Sequence, residues 1–447
     1  MNLFRPLPSC GLVILLVVVV TSCGSSDQGD GDTHSTAGTA GAAGSESPTA
    51  GIAGEGQTTG GSSHAGESAS DGGSSAAGET SSGGAPDGGD SSQGGSSAGA
   101  SGVAGGSGVA RPEGNTGIGF FTKDGKLYDA NGVEFRIKGV NTCHYDENWA
   151  SCSSNCGIPN SGANVNRIGT PLWSSISSTT LQGLMDRMIS QKVVPMPGVW
   201  YVNSSYSDND NVTCKDDAAA FETAVSQWVS RAALFKPYER YMLLNIANEW
   251  GPSNSTAWRD AYIDAVGQLR DAGYLCTLVI DAGGCGQDLD DIAKYAQAIY
   301  DSDPQHNIVF SEHVYGMWGS EATGLESWQI DLADGFDQMA ATGLPILIGE
   351  FGPGRDIGPS PTMMTPGTII QNADDHGFGW LAWAWDDDYA AGDDGFALSN
   401  QGGFSLSNGE PDHGEYPDNT DLTAFGNEVV LNPSFGTFGN AQPATIF

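Results

Sequence analysis

Residues 242–250 read Met-Leu-Leu-Asn-Ile-Ala-Asn-Glu-Trp, a short apolar run that ends in polar side chains and a tryptophan. Seven similar runs lie between residues 135 and 385, and amphipathic stretches with helical spacing separate most of them. Strands that alternate with helices pair in parallel through right-handed crossovers, and eight such units favour a closed (β/α)8 TIM barrel. The predicted strands are 135–140, 164–168, 193–199, 242–247, 278–280, 308–310, 346–348 and 379–385, and the predicted helices are 216–235, 258–272, 290–300 and 328–341.

The predicted α/β barrel domain occupies residues 114–436, and a C-terminal tail follows at 437–447. Short apolar runs at 119–121 and 126–128 flank Asp124-Gly125, which predicts an N-terminal β-hairpin that caps the bottom of the barrel. No Gly-x-Gly-x-x-Gly sequence follows the first predicted strand, so a dinucleotide-binding fold is disfavoured.

The N-terminus has the composition of a targeting segment. Residues 1–23 carry one positive charge, Arg5, and the apolar run Gly11–Val20, which fits a signal peptide and is too short for a membrane span. The sequence from Val20 to Gly24 resembles a bacterial lipobox, which predicts cleavage before Cys23 and acylation of its thiol. We therefore expect export, with a lipid anchor at the cell envelope as the only membrane attachment. Ordinary secretion without a lipid is the alternative.

Residues 24–113 are composed mainly of Gly, Ser, Ala, Thr, Asp and Glu, and they contain no aromatic residue. Such a segment buries too little apolar surface to offset the entropy of ordering. It predicts a disordered linker with a mean reach of about 50 Å.

The charge balance restricts the class of partner. The sequence has 54 acidic against 17 basic residues, a formal net charge of −37. Nucleic-acid binding needs a basic face, so we exclude nucleic acid, and the acidic balance fits a protein that acts on a neutral substrate. Separately, we expect a monomer.

Eight cysteines are present, of which Cys10 and Cys23 belong to the signal segment. The other six lack the spacing of a zinc site, and we expect neither a metal nor a cofactor. Cys276 and Cys285 lie at opposite ends of a predicted strand, so we expect no bond between them and a buried free thiol at Cys276. Two disulfides are expected among four loop cysteines, with the connectivity left open: Cys152, Cys156, Cys214 and Cys285.

Polar side chains follow the predicted strands at their C-terminal ends, where the active sites of TIM barrels lie. Glu249 ends strand four and Glu350 ends strand seven. Retaining glycosidases use two carboxyl groups about 5–5.5 Å apart, one as acid/base and one as nucleophile. Arg167, at the end of strand two, would keep a nucleophile ionised. His313 and Tyr315 would orient the pair, and the Asn248 amide would bind a sugar hydroxyl.

Aromatic side chains at strand ends offer flat apolar surfaces to sugar rings. Three tryptophans are such candidates, although a tryptophan at a strand end is more often a core residue: Trp200, Trp250 and Trp385. We assign Trp385 to the pocket because it ends strand eight.

These motifs together resemble glycoside hydrolase family 5, of the cellulase and mannanase clan, and most closely its bacterial β-mannanases. The stretches that carry the resemblance are Arg136-Ile-Lys-Gly-Val-Asn-Thr-Cys-His144, Asn245-Ile-Ala-Asn-Glu-Trp-Gly251, Ile348-Gly-Glu-Phe-Gly352 and Gly379-Trp-Leu-Ala-Trp-Ala-Trp385. The resemblance implies an endo-β-1,4-mannanase with Glu249 as acid/base and Glu350 as nucleophile. It also implies substrate or supporting roles for Arg167, His144, Asn248, His313, Tyr315 and Trp385.

Two stretches depart from the family pattern. The family has a histidine at the end of strand three, where this chain reads Pro197-Gly-Val-Trp-Tyr201. Gly284-Cys285 stands where bacterial mannanases carry an aromatic residue. A β-1,4-glucanase is therefore the alternative activity. A glycan-binding protein with a decayed site is a further alternative, which the two intact glutamates disfavour.

Overall fold

A computed structural model describes residues 108–142, 157–170, 177–202, 212–320, 325, 327, 329–353, 364–385, 397–399, 405–407, 410–412 and 422–447. Eight parallel strands form a closed barrel, which confirms the predicted fold. The last strand pairs with the first through Trp380 and Lys138, so the sheet has no open edge. The barrel strands are β1 Lys138–Thr142, β2 Val165–Thr170, β3 Val194–Val199, β4 Leu244–Asn245, β5 Leu278–Asp281, β6 Ile308–Val314, β7 Ile346–Phe351 and β8 Gly379–Ala382.

The barrel interior below the site is filled with apolar side chains. They form one buried cluster with Phe120 and Leu127 from the N-terminal hairpin, which places the hairpin against the bottom of the barrel. The hairpin strands Phe121–Lys123 and Lys126–Tyr128 pair antiparallel, so the first of them begins two positions later than the sequence predicts. Leu243, just before β4, belongs to the same cluster, and the barrel strands contribute Val165, Val194, Met196, Val279, Val309, Leu347 and Leu381.

Helices surround the barrel, and capping side chains decide where they begin. Asp217 accepts hydrogen bonds from Ala219 and Ala220, and Asp331 accepts them from Ala333 and Asp334. A cap of this kind satisfies N–H groups that lack an intrahelical partner. The helices are Gly157–Asn160, Ser178–Ser190, Ala218–Ser230, Ala232–Phe235, Thr256–Asp271, Leu289–Ser302, Leu332–Ala341, Pro366–His376, Ala424–Leu431 and Thr437–Asn440, with a 3-10 turn at Lys236–Tyr238.

Besides the N-terminal hairpin, two further pairs of short strands lie outside the barrel among the described residues. Trp318–Gly319 pairs in parallel with Ile330–Asp331, and Ser405–Ser407 pairs antiparallel with Glu410–Asp412. Among the described residues, no helix has both the length and the apolar character that crossing a bilayer would require.

The C-terminal residues 437–447 are part of the barrel domain, so their prediction as a separate tail was wrong. The Thr437 hydroxyl donates to the carbonyl of Ser161 at 2.8 Å, and the backbone N–H of Thr445 donates to Asp129 at 2.7 Å. Ala444 is buried in the cluster at the bottom of the barrel, with Phe447 packed against it. A segment this short has no periodicity of its own, so its packing is visible only in the tertiary structure.

The domain also begins before residue 114. The backbone N–H of Val109 donates to the carbonyl of Gly132 at 2.8 Å, so residues ahead of the predicted boundary pack on the hairpin region. The predicted signal segment, Cys23 and most of the predicted linker lie outside the described residues.

Candidate active site

Glu249 and Glu350 meet at the mouth of the barrel. Glu249 follows β4, and Glu350 lies in β7, where an irregularity in the β6–β7 pairing sets it opposite His313. One carboxylate oxygen of each glutamate and one ring nitrogen of His313 all lie within 4.8 Å of one another. This separation agrees with the roughly 5–5.5 Å of retaining glycosidases and is shorter than the separation in inverting ones.

Gly349 allows the approach of β6 and β7 at this point. A Cβ atom at position 349 would lie 2.1 Å from the Ser311 hydroxyl and 3.0 Å from the Nε2 atom of His313. A side chain at position 349 would clash with Ser311 and press on the His313 ring, so the glycine beside Glu350 lets both side chains keep their places.

Arg167 lies beneath the two glutamates and is fully buried. Its Nη1 atom donates to Glu350 at 2.7 Å, and its Nη2 atom donates to Asp281 at 2.8 Å. The fixed fork of a guanidinium suits several acceptors at once. The remaining acceptors are side-chain oxygens of Asn141, Asn245 and Asn248.

Glu350 receives two hydrogen bonds to its carboxylate. Arg167 donates to Oε1 at 2.7 Å, and the Tyr315 hydroxyl donates to Oε2 at 3.0 Å. Burial raises the pKa of Glu350, and the Arg167 guanidinium acts against this rise. The direct guanidinium contact makes Glu350 the member of the pair that is stabilised as an anion, as a nucleophile requires.

Glu249 has the opposite environment. Burial, reinforced by the charge of Asp281, raises the pKa of Glu249 to about 8, although Arg167 opposes the rise. Its Oε1 atom lies 2.7 Å from Nδ1 of His313. Burial lowers the pKa of His313 below its usual value, so the ring is neutral near pH 7 and shares one proton with Glu249. Glu249 is therefore suited to donate a proton at neutral pH.

The same three side chains are of types that could ligate a metal ion. Arg167 already supplies a positive charge 2.7 Å from Glu350, and a second cation there would repel it. The arrangement accordingly favours acid–base and nucleophilic chemistry over a metal centre.

The model of the cellulase family, glycosyl hydrolase family 5, matches residues 128–389 of the chain. The chain belongs to glycoside hydrolase family 5. It is similar to the mannan endo-1,4-beta-mannosidase of Salipaludibacillus agaradhaerens, with 31% identity over 274 residues that cover 60% of this chain and 81% of the relative. The Streptomyces lividans enzyme of the same name is 28% identical over 340 residues, which cover 74% of this chain and 78% of that enzyme.

The family 5 fold is also found among solved structures. The mannotriose complex of the Thermomonospora fusca β-mannanase superposes with a TM-score of 0.58 and 26% identity, covering 74% of this chain and 99% of that chain.

The aromatic side chains of this family 5 hydrolase differ from the expectation. Trp200 lies beside the site, with the Arg167 guanidinium 5.4 Å from its ring centroid. The indole of Trp383 packs on Trp200, with ring centroids 5.0 Å apart, and Tyr315 packs against the same cluster. Trp383 was not among the predicted site residues. Its signal in the sequence was its position just after the end of β8.

Trp385 and Trp250 are core residues, so their assignment to the substrate pocket was wrong. Trp385 is buried in the cluster between the strands and the helices, because β8 ends at Ala382 and the alternation of a regular strand does not extend to it. Trp250 stacks on Phe221 at 3.9 Å between ring centroids, and its indole N–H donates to the carbonyl of Asp217.

Asn248 is held by hydrogen bonds on both sides of its amide. Its oxygen accepts from Arg167, and its Nδ2 atom donates to the Thr213 hydroxyl at 2.9 Å. One amide N–H remains for a substrate hydroxyl. The predicted site residue His144 lies outside the described residues.

Three polar residues of the family 5 site received no role in the sequence analysis. Asp281 accepts from Arg167 and from the backbone N–H of Glu249 at 3.2 Å. Asn141 and Asn245 bind the other sides of the guanidinium. Each is a polar residue in or at the end of an apolar strand, which was the available signal.

Cys214 and Cys285 form a disulfide, and Cys276 is a buried free thiol. The free thiol and this one bridge agree with the expectations, and the structure supplies the partner of Cys214 that the sequence left open. Cys152 and Cys156, the other two cysteines of the expected bridges, lie outside the described residues.

Proposed function

We propose that this family 5 hydrolase cleaves β-1,4-linked mannan with retention of configuration, with Glu249 as acid/base and Glu350 as nucleophile. One observation carries the proposal: two buried carboxyl groups lie within 4.8 Å of a shared histidine, yet only Glu350 is bonded to a guanidinium. The separation suits direct attack on the sugar, and the contrast in environment assigns the two roles.

The reaction proceeds in two displacements. The Glu350 carboxylate attacks the anomeric carbon and forms a glycosyl ester, while Glu249 gives its proton to the departing glycosidic oxygen. The part of the polysaccharide beyond the cleaved bond therefore leaves as a neutral alcohol. Glu249, now ionised, takes a proton from water as the water attacks the same carbon, which releases Glu350 and restores Glu249 as an acid.

Mannan is the favoured substrate because of the names of two relatives. The Salipaludibacillus agaradhaerens and Streptomyces lividans proteins, which align with this chain over 81% and 78% of their own length, are both named mannan endo-1,4-beta-mannosidase. Reducing-sugar release from mannan, glucomannan, cellulose and xyloglucan tests this choice. Preferred hydrolysis of cellulose would contradict it and would favour the β-1,4-glucanase. Binding of a glycan without any turnover would favour the decayed binding protein.

Variants at the two glutamates test the mechanism. We expect Glu350→Ala to abolish hydrolysis of mannan and Glu249→Ala to lower it by about 10²–10⁴-fold, the usual contribution of a general acid. Proton NMR of the first products should show the β-anomer. Full activity in either variant, or an initial α-anomer, would refute the assignment.

The N-terminal sequence supports a proposal about location. Cleavage before Cys23 and acylation of its thiol would anchor the monomeric hydrolase at the bacterial envelope through the Gly/Ser-rich linker. Labelling with a radioactive fatty acid should mark the wild-type protein and not Cys23→Ala. Release of both proteins into the medium without label would instead favour ordinary secretion. Analytical ultracentrifugation tests whether the hydrolase is a monomer.

A further inference from the structure

The Cys214–Cys285 disulfide joins two loops that lie on either side of Glu249. Cys214 belongs to the segment between β3 and β4, and Cys285 lies in the loop after β5. β4 lies between β3 and β5 in the barrel, so the bond passes across the end of the chain segment that leads from β4 to Glu249. The two cysteines are 71 positions apart in sequence, with Cα atoms 4.3 Å apart.

Both loops also bond to the backbone around Glu249. The N–H of Cys214 donates to the Glu249 carbonyl at 3.2 Å, and the N–H of Gly251 donates to the Lys215 carbonyl at 3.0 Å. On the other side, the N–H of Gly284 donates to the Gly251 carbonyl at 2.8 Å. The chain from Glu249 to Gly251 is therefore held between the two loops that the disulfide connects.

The backbone of Glu249 needs such support. Its φ angle is 49°, in the left-handed region that a residue with a side chain rarely adopts. Conformations of this kind persist when the surrounding structure fixes them.

The disulfide also contacts the carboxyl group itself. The sulfur of Cys214 lies 3.5 Å from Oε2 of Glu249, while His313 holds Oε1. The loop continues to Gly286, whose carbonyl accepts from the backbone N–H of His313 at 2.7 Å. A disulfide sulfur carries no proton and no charge, so it covers Oε2 without donating to it.

We propose that the Cys214–Cys285 disulfide is a positioning element for the acid/base, which fixes the backbone of Glu249 and keeps water from its Oε2 atom. The inference rests on the proposed function, since it concerns the proton donor of that reaction. Removal of the bond should impair proton donation while leaving Glu350 and its guanidinium in place.

The groups that face Glu249 from the barrel remain after removal of the bond. They are Arg167 on β2, Asp281 on β5, His313 on β6 and Glu350 on β7. Water admitted beside Oε2 would stabilise the ionised carboxylate, so the pKa of Glu249 should fall from about 8 towards its ordinary value. The alkaline limb of the activity profile should therefore move to lower pH.

The test measures kcat/KM of the full-length Cys214→Ser/Cys285→Ser variant on two substrates and compares each value with that of wild type. Mannohexaose needs protonation of its leaving group, whereas dinitrophenyl β-mannobioside does not. We expect kcat/KM to fall at least about tenfold on mannohexaose and to stay within about twofold on the aryl substrate, because only the first reaction needs a placed acid. Cys276→Ser, which removes the buried free thiol, is the matched control and should change neither value.

The alkaline limb of kcat/KM is measured in the same proteins. Equal losses on both substrates would overturn the proposal, since they indicate general damage to the site. Unchanged kcat/KM and an unmoved limb would overturn it too. If the Cys214→Ser/Cys285→Ser variant does not fold, folded wild-type protein is reduced with a phosphine instead. Peptide mapping then identifies the bond that was opened, and the two substrates are compared as before. Wild-type protein inactive on both substrates would count against the proposed function, not against the positioning role alone.

Discussion

Arg167 offers the sharpest test of the electrostatic design of the site. Its guanidinium is fully buried and contacts two buried carboxylates, Glu350 at 2.7 Å and Asp281 at 2.8 Å. Arg167→Met removes the charge and every donor while keeping an unbranched apolar side chain of similar reach. Both carboxylates then stay in the barrel without a cation.

The expected magnitude follows from the burial of this cluster. Removal of one partner from a buried ion pair costs about 3–5 kcal/mol, because the remaining charge is left uncompensated. A domain has a total stability of about 5–15 kcal/mol, so this is a large share. The pKa of Glu350 should also rise, because Arg167 acts against the upward effect of burial.

A nucleophile works as the anion, so activity is present above the pKa of Glu350 and is lost as the pH falls through it. In Arg167→Met, the acidic limb of kcat/KM on mannohexaose should therefore move to higher pH. Urea unfolding at neutral pH measures the stability, and the pH dependence of kcat/KM measures the shift.

Arg167→Lys is the matched control, since it keeps the charge and loses the fork of donors. We expect a stability between those of wild type and Arg167→Met, with a smaller displacement of the acidic limb. The reasoning is refuted if Arg167→Met unfolds within about 1 kcal/mol of wild type, well below the cost of a broken buried pair, and its acidic limb stays in place.

Three further predictions concern single side chains. Tyr315→Phe removes the hydroxyl that donates to Glu350 at 3.0 Å; a hydrogen bond to a charged group contributes about 1.5–3 kcal/mol, so kcat/KM should fall roughly ten- to hundredfold, and an unchanged value would exclude a role in the reaction. Trp383→Ala should raise KM for mannan, which steady-state kinetics measures. The core variant Trp385→Ala should instead lower the free energy of unfolding by about 3–5 kcal/mol, which calorimetry measures. Burial and nearby acids raise the pKa of Glu312 well above its usual range, so wild type loses stability as the pH rises past the pKa that Glu312 has in the unfolded chain. Glu312→Gln should therefore become more stable relative to wild type by up to about 1.4 kcal/mol per pH unit. Parallel curves of unfolding free energy against pH for the two proteins would contradict this.

The positions of the chemical groups along the barrel were readable from the sequence. Each strand is a short apolar run, and polar side chains after such runs gather at one end of a parallel barrel. Glu249, Glu350, Arg167, His313 and Tyr315 were placed in this way, because strand order alone brings them to the same mouth. The distances and the contrast in pKa between the two glutamates required coordinates.

Local pattern failed where the chain leaves regular structure. Trp383 and Trp385 belong to one apolar run, but β8 ends at Ala382, so the alternation of side chains that a strand imposes no longer applies. Trp383 lies at the site and Trp385 in the core, and a two-residue period could not separate them. Trp250 was misassigned for a related reason, because the chain turns sharply at Glu249.

The sequence by itself determined the barrel, the order of its strands and the placement of the two glutamates at its mouth, since these depend on hydrophobic periodicity and on residues next to strand ends. Tertiary structure alone decided the partner of Cys214 and the packing of residues 437–447. Cys214 meets Cys285 across 71 positions because β3, β4 and β5 are neighbours in the closed barrel. Contacts of this kind depend on how loops fold back over strand ends, and nothing in their local composition encodes that path.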